Sequence, residues 1–178
     1  MKKKRLSILI VLLVIVISLF LSLFFGFKLV KTGVRTICDY RLTEETKRTI
    51  REDTNGLDYR QIIKYSVKFT GERLEFSLKN DLIHDKANCI GYSQVCSSIC
   101  NYAFLANGID LRTKPVVGYV TFCGINMCYL LQGIVPDRYK SFVKDHDFVE
   151  LLLEDKSLLF DASLYDFNIN ATTIAKRD

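Results

Sequence analysis

Residues 89–107 carry the clearest helical signal in the chain, and this segment constrains the fold more than any other. Apolar side chains recur at helical spacing in Val95, Ile99 and Ala103. The segment ends at an asparagine followed by Gly108, and glycine in the left-handed conformation is the usual stop at the carboxyl end of a helix. The pattern predicts one long, mostly buried helix against which other elements must pack.

The predicted helix begins with a cysteine, Cys89, in the sequence Ala-Asn-Cys-Ile-Gly-Tyr-Ser-Gln. In the first turn of a helix, a thiol lies near the positive end of the helix dipole and near backbone N–H groups that have no partner within the helix. Both effects stabilise negative charge on sulfur, and the negatively charged form of cysteine is the nucleophile. Cys89 is therefore the candidate nucleophile, provided that the rest of the chain supplies a base.

An uninterrupted apolar run covers residues 6–27 and contains no charged residue. At about 1.5 Å per residue it is long enough to cross the roughly 30 Å hydrocarbon core of a membrane. Three lysines and an arginine precede it, which predicts a cytoplasmic amino terminus and an extracytoplasmic remainder. We expect an uncleaved single-pass anchor in the cell membrane rather than a cleaved signal peptide, since Gly-Phe-Lys-Leu after the run is a poor cleavage site.

The chain then divides into a basic tail and anchor over residues 1–31, a linker over 32–41 and a folded domain over 42–178. The net charge of +5 does not describe that domain, because six of the 25 basic residues flank the apolar run. The rest of the chain contains 19 basic and 20 acidic residues, which nearly cancel. A nucleic-acid partner is therefore not expected, whereas the membrane is an expected partner of the anchor.

The chain has six cysteines, and in an extracytoplasmic domain cysteines can form disulfides. Cys123 and Cys128 are close enough in sequence to bridge a hairpin or loop. Cys96 and Cys100 lie one helical turn apart, which fits small buried side chains. A zinc site built from these two pairs has spacings unlike those of common zinc motifs, so neither a metal nor a cofactor is expected. The pairing of Cys38 is left open.

Two further helices are predicted before the cysteine helix. Thr43 is a candidate amino-terminal cap for a helix over residues 44–53, which has two glutamates in its first turn. Asp58 caps a second segment that runs to Leu78 and has apolar side chains at helical spacing. The same side chains also alternate around a Thr-Gly pair, as in a hairpin, but we favour the helix.

Beyond Gly108 the sequence becomes rich in β-branched and aromatic residues, which indicates strands. The predicted strands cover residues 115–122, 127–135, 148–153 and 157–161, and the last two flank a short polar turn as in a hairpin. Helices followed by about four antiparallel strands predict an α+β fold in which the sheet packs on the cysteine helix.

The predicted hairpin carries both partners that a cysteine nucleophile needs. His146 lies at the start of its first strand and Asp161 at the end of its second strand, so antiparallel pairing brings the two residues together. A triad forms if the sheet packs on the start of the cysteine helix. Cys89 would then attack a carbonyl, His146 would take up and return the proton, and Asp161 would orient the ring. The backbone N–H of Cys89 is the first candidate for stabilising the oxyanion, and the sequence does not identify a second.

These segments resemble the motifs of the transglutaminase-like superfamily. Asn-Cys-Ile-Gly-Tyr-Ser is similar to its cysteine motif, and a Val-Gly-Tyr-Val strand, His-Asp-Phe-Val-Glu-Leu and Leu-Phe-Asp-Ala-Ser-Leu follow in the family's order. The resemblance covers roughly residues 58–166 and implies a papain-like fold with catalytic roles for Cys89, His146 and Asp161. The chain has Asp147-Phe where the family often has Ala-Trp, and alanine where it often has proline after the aspartate.

The triad and the resemblance predict a membrane-anchored cysteine enzyme that transfers an acyl group from a peptide or glutamine amide to water or an amine. Its partner would be a peptide or protein substrate outside the cytoplasm. The alternative is an inactive transglutaminase-like module that binds an extracytoplasmic protein or a cell-wall partner. His84 is a weaker candidate base for which a surface role is expected. A thiol–disulfide exchanger is disfavoured because the chain has no Cys-x-x-Cys.

Overall fold

The computed structural model describes residues 10–17, 26–36, 40–140, 143–167 and 172–176. The helices in these ranges are α1 (residues 10–17), α2 (Glu44–Thr54), α3 (Tyr59–Arg73), α4 (Cys89–Ala106) and α5 (Met127–Ile134). The strands are β1 (Lys28–Val34), β2 (Glu75–Phe76), β3 (Lys86–Ala87), β4 (Thr113–Phe122), β5 (Ile125–Asn126), β6 (His146–Leu152), β7 (Lys156–Phe160) and β8 (Thr172–Lys176). Short 3-10 turns lie at Leu82–His84, Asp137–Tyr139 and Tyr165–Phe167.

The structure corrects the prediction of a transmembrane helix over residues 6–27. The described helix in this run covers residues 10–17, and the chain is already a β-strand at Lys28. None of the described helices is both long enough and apolar enough to cross a membrane. Residues 1–9 and 18–25 lie outside the described ranges. The run does not continue as a helix at its end because the residues that follow it pair with a strand of the folded domain.

That continuation, β1, was predicted neither as a strand nor as part of the domain. β1 pairs antiparallel with β4, from Lys28 opposite Thr121 to Val34 opposite Val116. Residues 28–31 are therefore part of the sheet rather than the end of an anchor. Residues 32–34 are part of it as well rather than the start of the predicted 32–41 linker. Cys38, also in the predicted linker, lies outside the described residues.

The strands other than β2 and β3 form one antiparallel sheet in the order β1-β4-β6-β7-β8, with β5 paired to β4. The predicted hairpin is confirmed as β6 and β7, which pair from Val149 opposite Phe160 to Leu152 opposite Ser157. The backbone N–H of Leu29 in β1 donates to Thr173 Oγ1 in β8 at 2.9 Å. The sheet therefore curls until its two outer strands meet.

The concave face of the curled sheet has its own core and one buried charge. The apolar side chains of Leu29, Val116, Val120, Phe148 and Leu159 pack together there. Glu150 lies two residues beyond Phe148 and is only 1% exposed. Its carboxylate accepts from Lys31 Nζ at 2.8 Å and lies 3.5 Å from Lys114 Nζ. Burial raises the pKa of Glu150, but the bonds from Lys31 and Ser157 outweigh it, so the net shift is downward.

The convex face of the sheet packs on α4, which is the central helix of the main core. α4 contacts β4, β6, α2 and α3, and its Tyr92, Ile99 and Phe104 are fully buried. Asn101 accepts from the backbone N–H of Thr113 at 2.7 Å and donates to the carbonyl of the same residue at 3.0 Å. These two bonds fix α4 to the start of β4. The predicted α+β plan, with the sheet packed on the cysteine helix, is confirmed.

The caps that the sequence predicts for α2 and α3 are present. Thr43 Oγ1 accepts from the backbone N–H of Thr46 at 3.1 Å. Asp58 accepts from the N–H of Gln61 at 2.8 Å, and the Gln61 side chain accepts from the N–H of Asp58 at 2.9 Å, which completes a capping box. The segment after Asp58 is therefore a helix as far as Arg73, as favoured over the hairpin.

The predicted strand over residues 127–135 is wrong, because this segment is helix α5. Asn126 Oδ1 accepts from the backbone N–H of Tyr129 at 3.2 Å and caps the helix. Immediately before it, Cys123 and Gly124 turn the chain with φ values of 51° and 78°. A short apolar run fits a strand or a buried helix equally well by periodicity, and here the cap decides between them.

Candidate active site

Cys89 is the first residue of α4, and its half-buried thiol lies at the end of the helix that faces the sheet. Asn88 is the amino-terminal cap, and its Oδ1 accepts from the N–H groups of Ile90 and Gly91 at 3.0 and 3.4 Å. The cap thereby satisfies the two N–H groups that follow Cys89. Within the described part of the chain, the N–H of Cys89 itself has no such bond, so it can stabilise the oxyanion of a carbonyl group that the sulfur attacks.

His146 and Asp161 lie together at the end of the hairpin, where β6 begins and β7 has just ended. His146 Nε2 and Asp161 Oδ2 are 2.5 Å apart. The His146 side chain is 17% exposed and that of Asp161 is 1% exposed. Because Nε2 is bound to the carboxylate, Nδ1 is the ring nitrogen left to exchange a proton with Cys89. The structure therefore brings the three predicted residues into one site.

Asp161 is fixed by more than the histidine. Its second oxygen, Oδ1, accepts from both the backbone N–H and the hydroxyl of Ser163, each at 2.8 Å. A carboxylate held at both oxygens cannot turn, so the ring of His146 is fixed as well. Ser163 was not predicted as a site residue, although its position two residues after an aspartate is typical of this kind of side-chain turn.

The surroundings of His146 favour its charged form. Burial lowers the pKa of the imidazole, but the Asp161 carboxylate opposes it by charge and by hydrogen bonding, and contact with Cys89 acts in the same direction. Together these effects raise the pKa of His146 well above its usual value. An imidazolium next to Cys89 stabilises negative charge on the sulfur, as a cysteine nucleophile requires.

A second carboxylate, Asp147, also contacts the thiol. Cys89 Sγ donates to Asp147 Oδ2 at 3.8 Å. The Asp147 side chain is fully buried, and its other oxygen accepts from Arg35 Nε at 2.6 Å. Arg35 also lies 3.3 Å from Asp145 through Nη2. Burial raises the pKa of Asp147, and the contact with Arg35 offsets part of that rise.

The sequence did not reveal Arg35 and Asp147 as site residues. Arg35 follows β1, inside the segment predicted as a linker, so nothing in the sequence indicated that it reaches the hairpin. Asp147 is the residue at which the chain departs from the transglutaminase-like pattern. That departure next to the candidate histidine was the available signal, because an ionisable residue on the face of a strand that packs on a helix requires a partner.

A cavity of about 560 Å³ opens at Cys89. Polar side chains line one part of it, namely Arg35, Asn88, Asp145, His146, Asp147 and Ser163. Apolar side chains from α4, α5, β4, β2 and the segments before β1, after β2, before β6 and after β7 line the rest. A larger cavity of about 700 Å³ lies on the concave face beside Glu150, but none of the triad residues lines it. The smaller cavity is therefore the candidate substrate site.

The other cysteines in the described ranges are free thiols. Cys96 and Cys100 are fully buried in α4, and burial raises the pKa of Cys100 to about 12, so it behaves as a small apolar side chain. Cys123 is exposed and Cys128 lines the cavity, and the two do not form a disulfide with each other. Among the described residues, no group of three or more His, Cys, Asp or Glu side chains is arranged to hold a metal ion.

His84 lies on the surface, as expected. Its side chain is 72% exposed and binds Asp81 at 2.8 Å through Nδ1. Tyr92, which follows Cys89 by three residues, is buried and donates from its hydroxyl to the carbonyl of Leu74 at 2.7 Å. Neither side chain lines the cavity at Cys89.

Comparisons of the chain with protein-family models, curated proteins and solved structures find no match. The likeness to transglutaminase-like enzymes is therefore a resemblance of short motifs. The site has to be interpreted from its own geometry.

The pair formed by His146 and Asp161 predicts a pH dependence of folding stability. Because the pKa of His146 is raised in the folded protein, the pair stabilises the fold fully below the ordinary histidine pKa of about 6.5. That stabilisation is lost as the pH rises through the higher pKa of the folded state. Asp161→Asn should therefore lower the melting temperature most near pH 6 and progressively less at alkaline pH. A pH-independent difference between the two proteins would contradict the ion pair.

Proposed function

We propose that this protein is a cysteine enzyme that cleaves an amide bond by acyl transfer through Cys89, His146 and Asp161. The observation that carries the proposal is the geometry of the site. A thiol at the start of a buried helix contacts an imidazole, and a buried, doubly held carboxylate orients that imidazole. Nucleophile, base and orienting acid in this order are the elements of covalent acyl-transfer catalysis. The motif resemblance to transglutaminase-like enzymes supports the same reaction class.

In the first half of the reaction, the Cys89 thiolate attacks the carbonyl carbon of the amide and the oxygen becomes an oxyanion. The backbone N–H of Cys89 stabilises that oxygen. His146 then gives its proton to the amide nitrogen, the carbon–nitrogen bond breaks, and the amine leaves. The product on the enzyme is a thioester of Cys89.

In the second half, His146 accepts a proton from water, whose oxygen attacks the thioester carbon. The carbon–sulfur bond breaks, the carboxylic acid leaves and Cys89 returns to the thiolate beside the imidazolium. An amine can replace water in the same position, which makes the reaction a transamidation. Hydrolysis is the simpler outcome, because transamidation needs an acceptor site from which water is excluded.

One observation favours a second candidate function, a binding module that does not turn over substrate. The thiol of Cys89 donates to Asp147, and a carboxylate in that position stabilises the thiol rather than the thiolate. A site resting in this state would still offer its cavity to a peptide segment. The two functions differ in the reactivity of Cys89, which can be measured without a known substrate.

Iodoacetamide labelling of the purified full-length chain, followed cysteine by cysteine with mass spectrometry, tests the proposal. At about pH 6 an ordinary thiol with a pKa of about 8.5 is less than about 1% thiolate. A Cys89 thiolate held beside an imidazolium should therefore react about tenfold or more faster than Cys123, which is exposed and free. The difference should disappear in His146→Ala.

Cys123 provides an internal reference in the same sample. Labelling of Cys89 no faster than that of Cys123 would overturn the enzyme hypothesis and leave the binding module. An Asp147→Asn variant sharpens the measurement, because it removes the carboxylate that competes for the thiol proton. Its Cys89 should label at least as fast as that of the unmodified protein.

A further inference from the structure

Apolar side chains make up most of the candidate substrate cavity. Ten of its lining residues are aliphatic, aromatic or methionine, and they include Ile90, Val120, Met127, Leu131 and Leu164. Ile90 follows Cys89 directly in α4, and Met127 and Leu131 lie one turn apart in α5. A substrate group that enters this part of the cavity is therefore surrounded by hydrocarbon.

The polar groups of the cavity already bond to other parts of the protein. Arg35 bonds to Asp147 and Asp145, and His146 bonds to Asp161. Asn88 Oδ1 accepts from the first turn of α4, and the Ser163 hydroxyl donates to Asp161. A polar substrate side chain that enters the apolar part of the cavity would lose its bonds to water, and the hydrocarbon there cannot replace them, which is unfavourable.

The position of the histidine indicates which part of the substrate meets the apolar wall. His146 must face the leaving nitrogen, since it delivers the proton there. Asp145 and Asp147 flank it in the chain and both contact Arg35, so the charged groups of the cavity cluster next to the histidine. The wall formed by α4, α5 and β4 is left for the acyl part of the substrate.

We infer that the acyl part of the cleaved amide carries a bulky apolar side chain, rather than the glutamine side chain or a charged group. This inference rests on the proposed function, which it makes more specific. The cavity volume of about 560 Å³ lies within the roughly 300–1,000 Å³ typical of ligand sites, so a leucine- or phenylalanine-sized group and its backbone fit it.

Peptide 4-nitroanilides test the inference on the full-length protein. In each, a single leucine, glutamine or glutamate occupies the first or the second position on the acyl side, and the other positions are glycine. When two substrates differ by one methylene, a hydrophobic pocket changes kcat/KM by about 10- to 200-fold. The better leucine substrate should therefore exceed its glutamine and glutamate counterparts by about tenfold or more.

Leu131→Lys provides the matched variant, because it places a cation on the cavity wall outside the triad. Leu131 is 39% exposed, so the lysine can be accommodated without unfolding α5. The variant should lose most of the preference for leucine and gain activity on glutamate. Tyr129→Lys is the control, since it puts the same charge on the same helix, at a residue that is 79% exposed and does not line the cavity. It should keep the original preference.

The outcomes separate this inference from the proposed function. Equal or better cleavage of the glutamine or glutamate substrates, or the same selectivity in Leu131→Lys and Tyr129→Lys, would overturn the apolar preference. Fast labelling of Cys89 without cleavage of either leucine substrate would overturn it as well. Slow labelling of Cys89 together with no cleavage of any substrate would instead overturn the proposed function and the inference that depends on it.

Discussion

His146→Ala should lower kcat/KM for amide cleavage by about 10²–10⁴-fold, the usual contribution of a positioned general acid–base. His146 is the group that would take the proton from Cys89 and return it to the leaving amine. Among the described residues lining the cavity there is no second imidazole to replace it. Cleavage of the leucine 4-nitroanilides, measured over a range of substrate concentrations, gives the value directly.

The chain contains its own matched control for this variant. It has two histidines, and the other one, His84, is 72% exposed and bound to Asp81 on the surface. His84→Ala should leave kcat/KM within experimental error. Equal losses in both variants would indicate a general effect on folding, and an unchanged rate in His146→Ala would exclude the proposed role of the imidazole.

His146→Ala also leaves the buried Asp161 without its cationic partner, so folding has to be measured separately. Asp161 keeps two hydrogen bonds from Ser163, which limits the destabilisation. Melting curves of the variant show whether the fold persists at the assay temperature. Addition of free imidazole gives a second readout, because partial recovery of activity would require a folded site that lacks only the base.

The parts of the fold that local sequence determines were predictable. α4 begins at Cys89 and ends before Gly108, whose φ is +67°, because a cap residue and a left-handed glycine mark the two ends. The hairpin of β6 and β7 follows from two apolar runs joined by a short polar turn. The proximity of Cys89, His146 and Asp161 could be predicted because these residues lie at the ends of well-marked elements.

The elements that depend on distant partners were not predictable. β1 follows an apolar run that satisfies the length rule for a membrane span, and only its pairing with β4 shows that it belongs to the sheet. β8 is a short, partly exposed segment whose strand character comes from β7. The contact of Arg35 with Asp147 depends on both the position of β1 and the curl of the sheet, so no local pattern contains it.

Gly118→Ala should destabilise the fold by about 1–3 kcal/mol or more, which is the usual cost of overpacking an interior. Gly118 lies in β4 between Lys31 of β1 and His146 of β6. A Cβ atom added there would lie 1.9 Å from the carbonyl oxygen of Val30 and 3.0 Å from the Cα of Lys31. Both are backbone atoms, so no side-chain rotation relieves the overlap.

Gly133→Ala is the control for the glycine replacement, because nothing lies within 4 Å of its added Cβ and it is part of helix α5. Alanine is favoured over glycine inside a helix by about 0.5–1 kcal/mol, so this variant should melt slightly higher. For a chain of this size, each kcal/mol corresponds to about 2–4 °C in melting temperature. A Gly118→Ala protein that melts as high as Gly133→Ala would contradict the close approach of β1 to β4.

The same replacement connects the sheet to the site. If β4 moves to make room for the new methyl group, its neighbour β6 moves with it, and His146 opposite Gly118 shifts relative to Cys89. A displacement of about 1 Å is enough to reduce catalysis about 10²-fold. Gly118→Ala should therefore slow iodoacetamide labelling of Cys89 even at temperatures where the protein is folded, whereas Gly133→Ala should not. Such a result would show that β1, the strand least evident in the sequence, determines the position of His146 relative to Cys89.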